Sequence, residues 1–151
     1  MNLIEFVTPR VREAYWVDDA HCTPTMLGIL SEIFSAPIYE QVYQAASGMH
    51  GAGLFGAQCG LVEGALMFIG IVGRGKGMSI DEVEPICYEF AEGFQREFGS
   101  LLCREIRPEG FSDDNPPHIC EPRTVEAIVF AAEFIVEKLE LEAYPSTSAT
   151  T

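Results

Sequence analysis

Five cysteines, at positions 22, 59, 87, 103 and 120, are the residues of this chain best able to do chemistry. Cys87 lies in "PICYEFAEGF", beside Ile86 and on the apolar side that continues through Phe90 and Phe94. A free cysteine in that setting behaves as a small core hydrophobe. The other four share a position. Cys22 precedes Thr23-Pro24 and Cys120 precedes Glu121-Pro122, both patterns of a helix start. Cys59 falls in the first turn of a glycine-rich helical stretch, and Cys103 in a short helical piece opened by Gly99-Ser100. Unpaired N–H groups and the positive end of the dipole at a helix N-terminus stabilise a thiolate. If the fold brings two or more of Cys22, Cys59, Cys103 and Cys120 together, the result is a dithiol/disulfide couple or a thiolate-ligated metal.

The metal alternative draws on the same four cysteines with His118, which forms an H-x-C pair with Cys120. Thiolates with an imidazole suit zinc, and four thiolates suit an iron–sulfur cluster. The usual close-spaced C-x-x-C pair is missing, so either group would have to be assembled from separate helices. Glu63 stands four residues after Cys59 and therefore on the same helix face, as a general base toward that thiol or as an ordinary exposed glutamate. His21 reads as solvated surface and His50 as a loop residue. The pairs Asp18-Asp19 and Asp113-Asp114 read as turn and cap chemistry. The chain has no G-x-S-x-G elbow, no H-E-x-x-H and no C-x-x-C-H haem attachment.

The elements that must position these residues read as helices throughout. Thr8-Pro9 predicts a first helix running to about Trp16, and Cys22-Thr23-Pro24 a second whose Met26, Ile29, Leu30, Ile33 and Phe34 face the core. "IYEQVYQAAS" continues as a helix after Ala36-Pro37, with Ile38, Val42, Tyr43 and Ala46 on one face. The glycine-rich helix is expected from about Ala57 to Val72. Ser79 and Glu82 have capping-box spacing, with a kink or delayed start expected at Pro85. The last helix begins after Cys120 and takes its period from Val125, Val129, Ala132, Val136 and Leu139. "RPEGFSDDNPPH" reads as a loop. The expectation is an all-α, compact bundle of about five to seven helices, with a single domain over residues 1–143 and a disordered tail over 144–151.

Charge and hydropathy narrow the function. A net charge of −14 argues against nucleic acid and anionic membrane surfaces as partners. From Leu54 to Gly73 there are about enough residues to cross a bilayer, but Glu63 near the middle costs roughly 2.5–3.5 kcal/mol there. A buried helix whose Gly56, Gly60 and Gly64 admit a close neighbour is the expected reading, and no membrane span. The segment "MNLIEFVTPRVREAYW" lacks an uninterrupted apolar region and a small-residue cleavage site, which points to a cytoplasmic protein with reduced thiols.

Cys22, "QCGLVEGALM" at 58–67, "EFAEGFQREFGSLLCREI" at 89–106 and Cys120 leading a helix together resemble the C-GCAxxG-C-C family of redox-active proteins. That family is marked by four cysteines, one of them in a CGAxxG motif, and the resemblance spans roughly residues 10–140. It implies that Cys59 is the motif cysteine, Gly60 and Gly64 its glycines, and Cys22, Cys103 and Cys120 the other three. Leu61 departs from the motif alanine. The resemblance implies redox activity without naming a reaction, and its members' genes often lie near transporter genes. The expected function is therefore a thiol redox protein with Cys22, Cys59, Cys103 and Cys120 as its centre and Cys59 as the attacking thiolate. The alternatives are a metal- or cluster-binding protein without turnover and a helical module serving a transporter. The expected partner is a redox protein or a transporter; the glycine ladder and phenylalanine-rich helix would serve a homodimer or an internal contact equally.

Overall fold

The computed structural model describes residues 1–107, 109–110 and 114–150. Its helices are α1 (Leu3–Trp16), α2 (Cys22–Phe34), α3 (Glu40–Ala45), a single turn α4 (Gly51–Leu54), α5 (Gly60–Gly75), α6 (Ile80–Phe98), a single turn α7 (Cys103–Ile106) and α8 (Glu121–Leu139). No strand occurs among the described residues, and the all-α expectation holds. None of their helices is long and apolar enough to cross a membrane. Asp113 and part of the expected 107–118 loop lie outside the described residues.

Local chemistry accounts for most of the boundaries. The α6 capping box forms as expected: Ser79 accepts from the Glu82 N–H, and Glu82 returns a bond to the Ser79 N–H. That box holds the first turn, so α6 starts at Ile80 and runs through Pro85 without the delayed start expected there. A second capping box, Asn2 with Glu5, begins α1 at Leu3, well before the expected Thr8-Pro9, and Pro9 lies inside the helix. The α5 helix starts at Gly60, about three residues later than expected, because residues 51–59 are occupied in a different structure described below.

The core forms where α5 packs on α2 and where α8 packs on α1, α2 and α5; α6 closes the other side of α5. Glycines set the closest of these approaches. A Cβ at Gly64 would lie 2.9 Å from both Met26 Cβ and the Thr23 carbonyl oxygen of α2, so only hydrogen fits between these helices. Phe90 and Phe94 are fully buried and join Phe98, Phe130 and Phe134 in a cluster of tilted and edge-on rings between α6 and α8.

One face differs from expectation. The core side of α8 carries Thr124, Ala127, Ile128, Ala131, Ala132, Ile135 and Leu139. Of the expected period, Ala132 and Leu139 are buried, while Val125, Val129 and Val136 are only half-buried. Three neighbouring helices converge on α8 from one side, and that geometry, rather than the valine spacing, chooses its inner face. The segment expected as a tail starts by returning to the body: the Tyr144 N–H donates to the Ile33 carbonyl at 2.8 Å, and Pro145 is buried.

Candidate functional site: four thiols at helix N-termini

Each of the four site cysteines occupies a helix start. Cys59 and Cys120 are the N-caps of α5 and α8; Cys22 and Cys103 are the first residues of α2 and α7. They come together because backbone segments far apart in sequence clasp one another. The Cys59 N–H donates to the Leu101 carbonyl at 2.8 Å, and the Cys103 N–H donates to the Ala57 carbonyl at 2.7 Å, around an antiparallel bridge of Gln58 with Leu102. Thr23 ties α2 to the same place, its hydroxyl donating to the Met49 and Gly60 carbonyls. Thr124 does so for α8: its hydroxyl donates to the Cys120 carbonyl at 2.9 Å and shares a 2.6 Å bond with the buried Tyr15 hydroxyl.

The turn ahead of Cys59 is strained. Gly51, Ala52, Gly53 and Leu54 have φ of 69°, 53°, 65° and 70°, a full left-handed turn containing two residues with side chains. Such a conformation costs about 1–2 kcal/mol for each non-glycine residue. The clasp sustains it, because the Gly51 N–H donates to Gln58 and the Gly51 carbonyl accepts from Gly56 and Ala57. Glycine is required at 51 by more than φ: a Cβ there would lie 3.0 Å from Cys103 Cβ and 3.3 Å from its sulfur. Gly60 is excluded from larger residues in the same way, since a Cβ would fall on the Cys22 sulfur and the Thr23 hydroxyl. Of the glycine ladder read from the sequence, Gly60 and Gly64 thus serve close packing, whereas Gly56 adopts φ 99° in the clasp.

The thiols open unequally on a cavity of about 170 Å³. Cys22, Cys103 and Cys120 line it with Tyr15, His50 and Arg107. Cys59 stands behind them, 5% exposed. Burial raises all four thiols above their ordinary value, and neighbouring thiols raise Cys22, Cys59 and Cys103 further. Cys22 is pushed up to about 12, by burial first and then by Cys59, Cys103 and Cys120. Burial pushes Cys59 up to about 11 against the pull of the Leu61 and Val62 N–H groups. The helix-start effect that singled out Cys59 in the sequence is therefore outweighed by desolvation. Cys103 and Cys120 are also raised by burial, but Arg107 opposes the rise at both and Arg123 at Cys120. All five cysteines are free thiols.

The remaining candidates divide. Among the described residues, no group of three or more His, Cys, Asp or Glu side chains has the arrangement of a metal site. His118 lines the cavity but is held by other contacts: it stacks on Tyr15 at 5.1 Å, meets Trp16 edge-on at 4.9 Å and lies 3.5 Å from the Asp19 carboxylate. His21 stacks flat on His50 at 4.0 Å at the cavity, and burial followed by His21 lowers the His50 pKa. Glu63 is half-buried and accepts from the Gln58 amide at 2.9 Å; it does not line the cavity. Cys87 is half-buried on α6 and lies outside the cavity. Sequence reasoning missed Tyr15 and Arg107. Tyr15 lies in a helix read only from its Thr8-Pro9 start signal, and Arg107 begins a stretch read as a loop.

Comparison with known proteins accords with this constellation. A family model described as "Putative redox-active protein (C_GCAxxG_C_C)" matches residues 20–134, which include all four cysteines. Neither comparison with curated proteins nor comparison with solved structures finds a match. The match covers most of the chain, and the protein belongs to the C_GCAxxG_C_C family of redox-active proteins.

Proposed function

We propose that this protein exchanges thiols for disulfides, with Cys120 attacking and Cys103 resolving. The observation that carries this reading is the convergence of four free thiols from four helix starts, with Cys22, Cys103 and Cys120 lining one cavity beside Arg107 and Cys59 behind them. A guanidinium near both thiols favours the thiolate in whichever is charged, which is the requirement for attack. In the first step the Cys120 thiolate bonds to one sulfur of a partner disulfide and releases the other as a thiolate. Cys103 then loses its proton to solvent and displaces the remaining partner sulfur. The net result is a Cys103–Cys120 disulfide and two partner thiols, a transfer of two electrons.

Cys22 and Cys59 form the rear of the same centre in this reading. The charges of Cys103 and Cys120 oppose ionisation of Cys22 and Cys59, so oxidising the front pair removes like charge from the rear pair and eases its ionisation. The centre would thereby hold four electrons, given up in two unequal steps.

The test is to trap the mixed disulfide. Reduced Cys103→Ser protein, treated with glutathione disulfide, is expected to accumulate a glutathione adduct mapped to Cys120, while unmodified protein proceeds to an internal disulfide. An adduct at Cys59, or none anywhere, would overturn the assignment. A native mass excess matching zinc or an iron–sulfur cluster, lost on denaturation, would replace it with the metal reading.

A further inference from the structure

The valines that the helical period assigned to the core of α8 point to a second surface. Val125 and Val129 form the floor of a groove of about 680 Å³, together with Ile4 of α1 and Phe98 and Phe130 from the ring cluster. Ile4 is 51% exposed, so the apolar floor reaches solvent. Glu97, Glu126 and Glu133 stand along its edges, and Glu121 closes its end. Glu121 is already engaged by the Trp16 indole N–H at 2.8 Å and by Arg12 at 3.8 Å. Arg123 does not line the groove, although its guanidinium lies 5.8 Å from the Phe98 ring centre. Carboxylates therefore dominate the rim over an apolar base.

We infer that this groove is a docking site for a cationic amphipathic helix of a partner protein, an apolar stripe seating on the valines and phenylalanines between basic flanks. Three features favour that occupant. From Glu121 to Glu133 the groove wall runs roughly 18 Å at the α-helical rise, enough for about three turns of a docked helix. A stripe of residues at three- and four-residue spacing is what such a helix presents to an apolar groove. The acidic rim matches lysine or arginine on the flanks and repels an acidic helix, which gives discrimination as well as attraction. The groove also ends at Glu121, next to Cys120, so a docked helix brings its partner to the mouth of the thiol cavity. That last point rests on the proposed thiol chemistry; the docking itself does not.

The experiment uses the full chain and a fluorescent peptide of about three to four helical turns, with a leucine stripe and lysine flanks, against a counterpart with glutamate flanks. The lysine peptide is expected to bind and the glutamate peptide to fail. Combining Glu97→Lys, Glu126→Lys and Glu133→Lys should weaken binding at least about tenfold. Combining Glu13→Lys, Glu84→Lys and Glu142→Lys changes net charge equally on other surfaces and should leave most of the affinity. Ile4→Asp, an exposed position, should weaken binding through the floor. Equal losses in the two triple variants would mean diffuse attraction to an acidic protein and would overturn the groove, as would no binding by the lysine peptide. Repeating the titration with Cys120→Ser separates the two proposals, because docking should persist there even where thiol exchange is lost.

Discussion

Cys87 and Cys120 are both half-buried free thiols, and both belong to long helices of the same body. Cys87 sits within α6, where burial raises its thiol and the Glu84 carboxylate raises it further. Cys120 caps α8, where burial also raises the thiol but Arg107 and Arg123 pull it down, and two other thiols share its cavity. Exposure does not separate the two. What separates them is the company: a carboxylate at one, two guanidiniums and partner sulfurs at the other. In the proposed function, thiol chemistry follows from where helix starts converge, and cysteine as a residue type does not confer it.

The widest gap between the two sites should appear in exchange with a disulfide. Cys120→Ser is expected to slow reduction of a glutathione-type disulfide by at least about a hundredfold, as loss of an attacking nucleophile does. Cys87→Ser should change that rate less than about twofold. Comparable losses in both would erase the distinction.

Next in size is an effect of pH on stability, larger at the convergent site than at Cys87. Cys22 and Cys59 are raised from 9.0 to about 12 and about 11 in the folded chain. The folded state keeps protons that the unfolded state releases, so their contribution is whole below about pH 9 and is lost as pH rises toward those values. Urea midpoints should fall between about pH 8.5 and pH 10.5, and the fall should be smaller in the Cys22→Ser, Cys59→Ser double variant. An unchanged slope in that variant would remove these thiols as its source.

Two glycines of α5 sharpen the contrast between the crowded end and the rest of the body. Gly60→Ala places a methyl on the Cys22 sulfur and should destabilise by about 1–3 kcal/mol, read by urea unfolding. Gly70→Ala meets nothing within 4 Å and should stabilise by about 0.5–1 kcal/mol, the ordinary gain of alanine over glycine within a helix. The same sign at both positions would contradict the packing described here.

Much of this arrangement was legible in the sequence, because helix starts are written locally. Thr23-Pro24, Glu121-Pro122 and the Ser79–Glu82 box each name a boundary within four residues, and the first two put Cys22 and Cys120 at helix N-termini. The left-handed turn at Gly51–Leu54 was not legible. It exists because Gln58 pairs with Leu102, and no local pattern records a contact between residues so far apart. The inner face of α8 was obscured for a similar reason, since valines at helical spacing fit either side until α1, α2 and α5 choose one. The same limit applies to the thiols: a sequence can place Cys59 at a positive helix end, but only the packed chain shows burial exceeding that pull.

The most direct measurement of the central claim is disulfide mapping after limited oxidation. Protein reduced without oxygen would be treated with one equivalent of disulfide oxidant, digested under acidic conditions and mapped by mass spectrometry. The expected result is the loss of two hydrogens and a single internal disulfide joining Cys103 to Cys120, with Cys87 still a thiol. A disulfide that includes Cys87, or no internal disulfide under conditions that oxidise a reference dithiol, would contradict it.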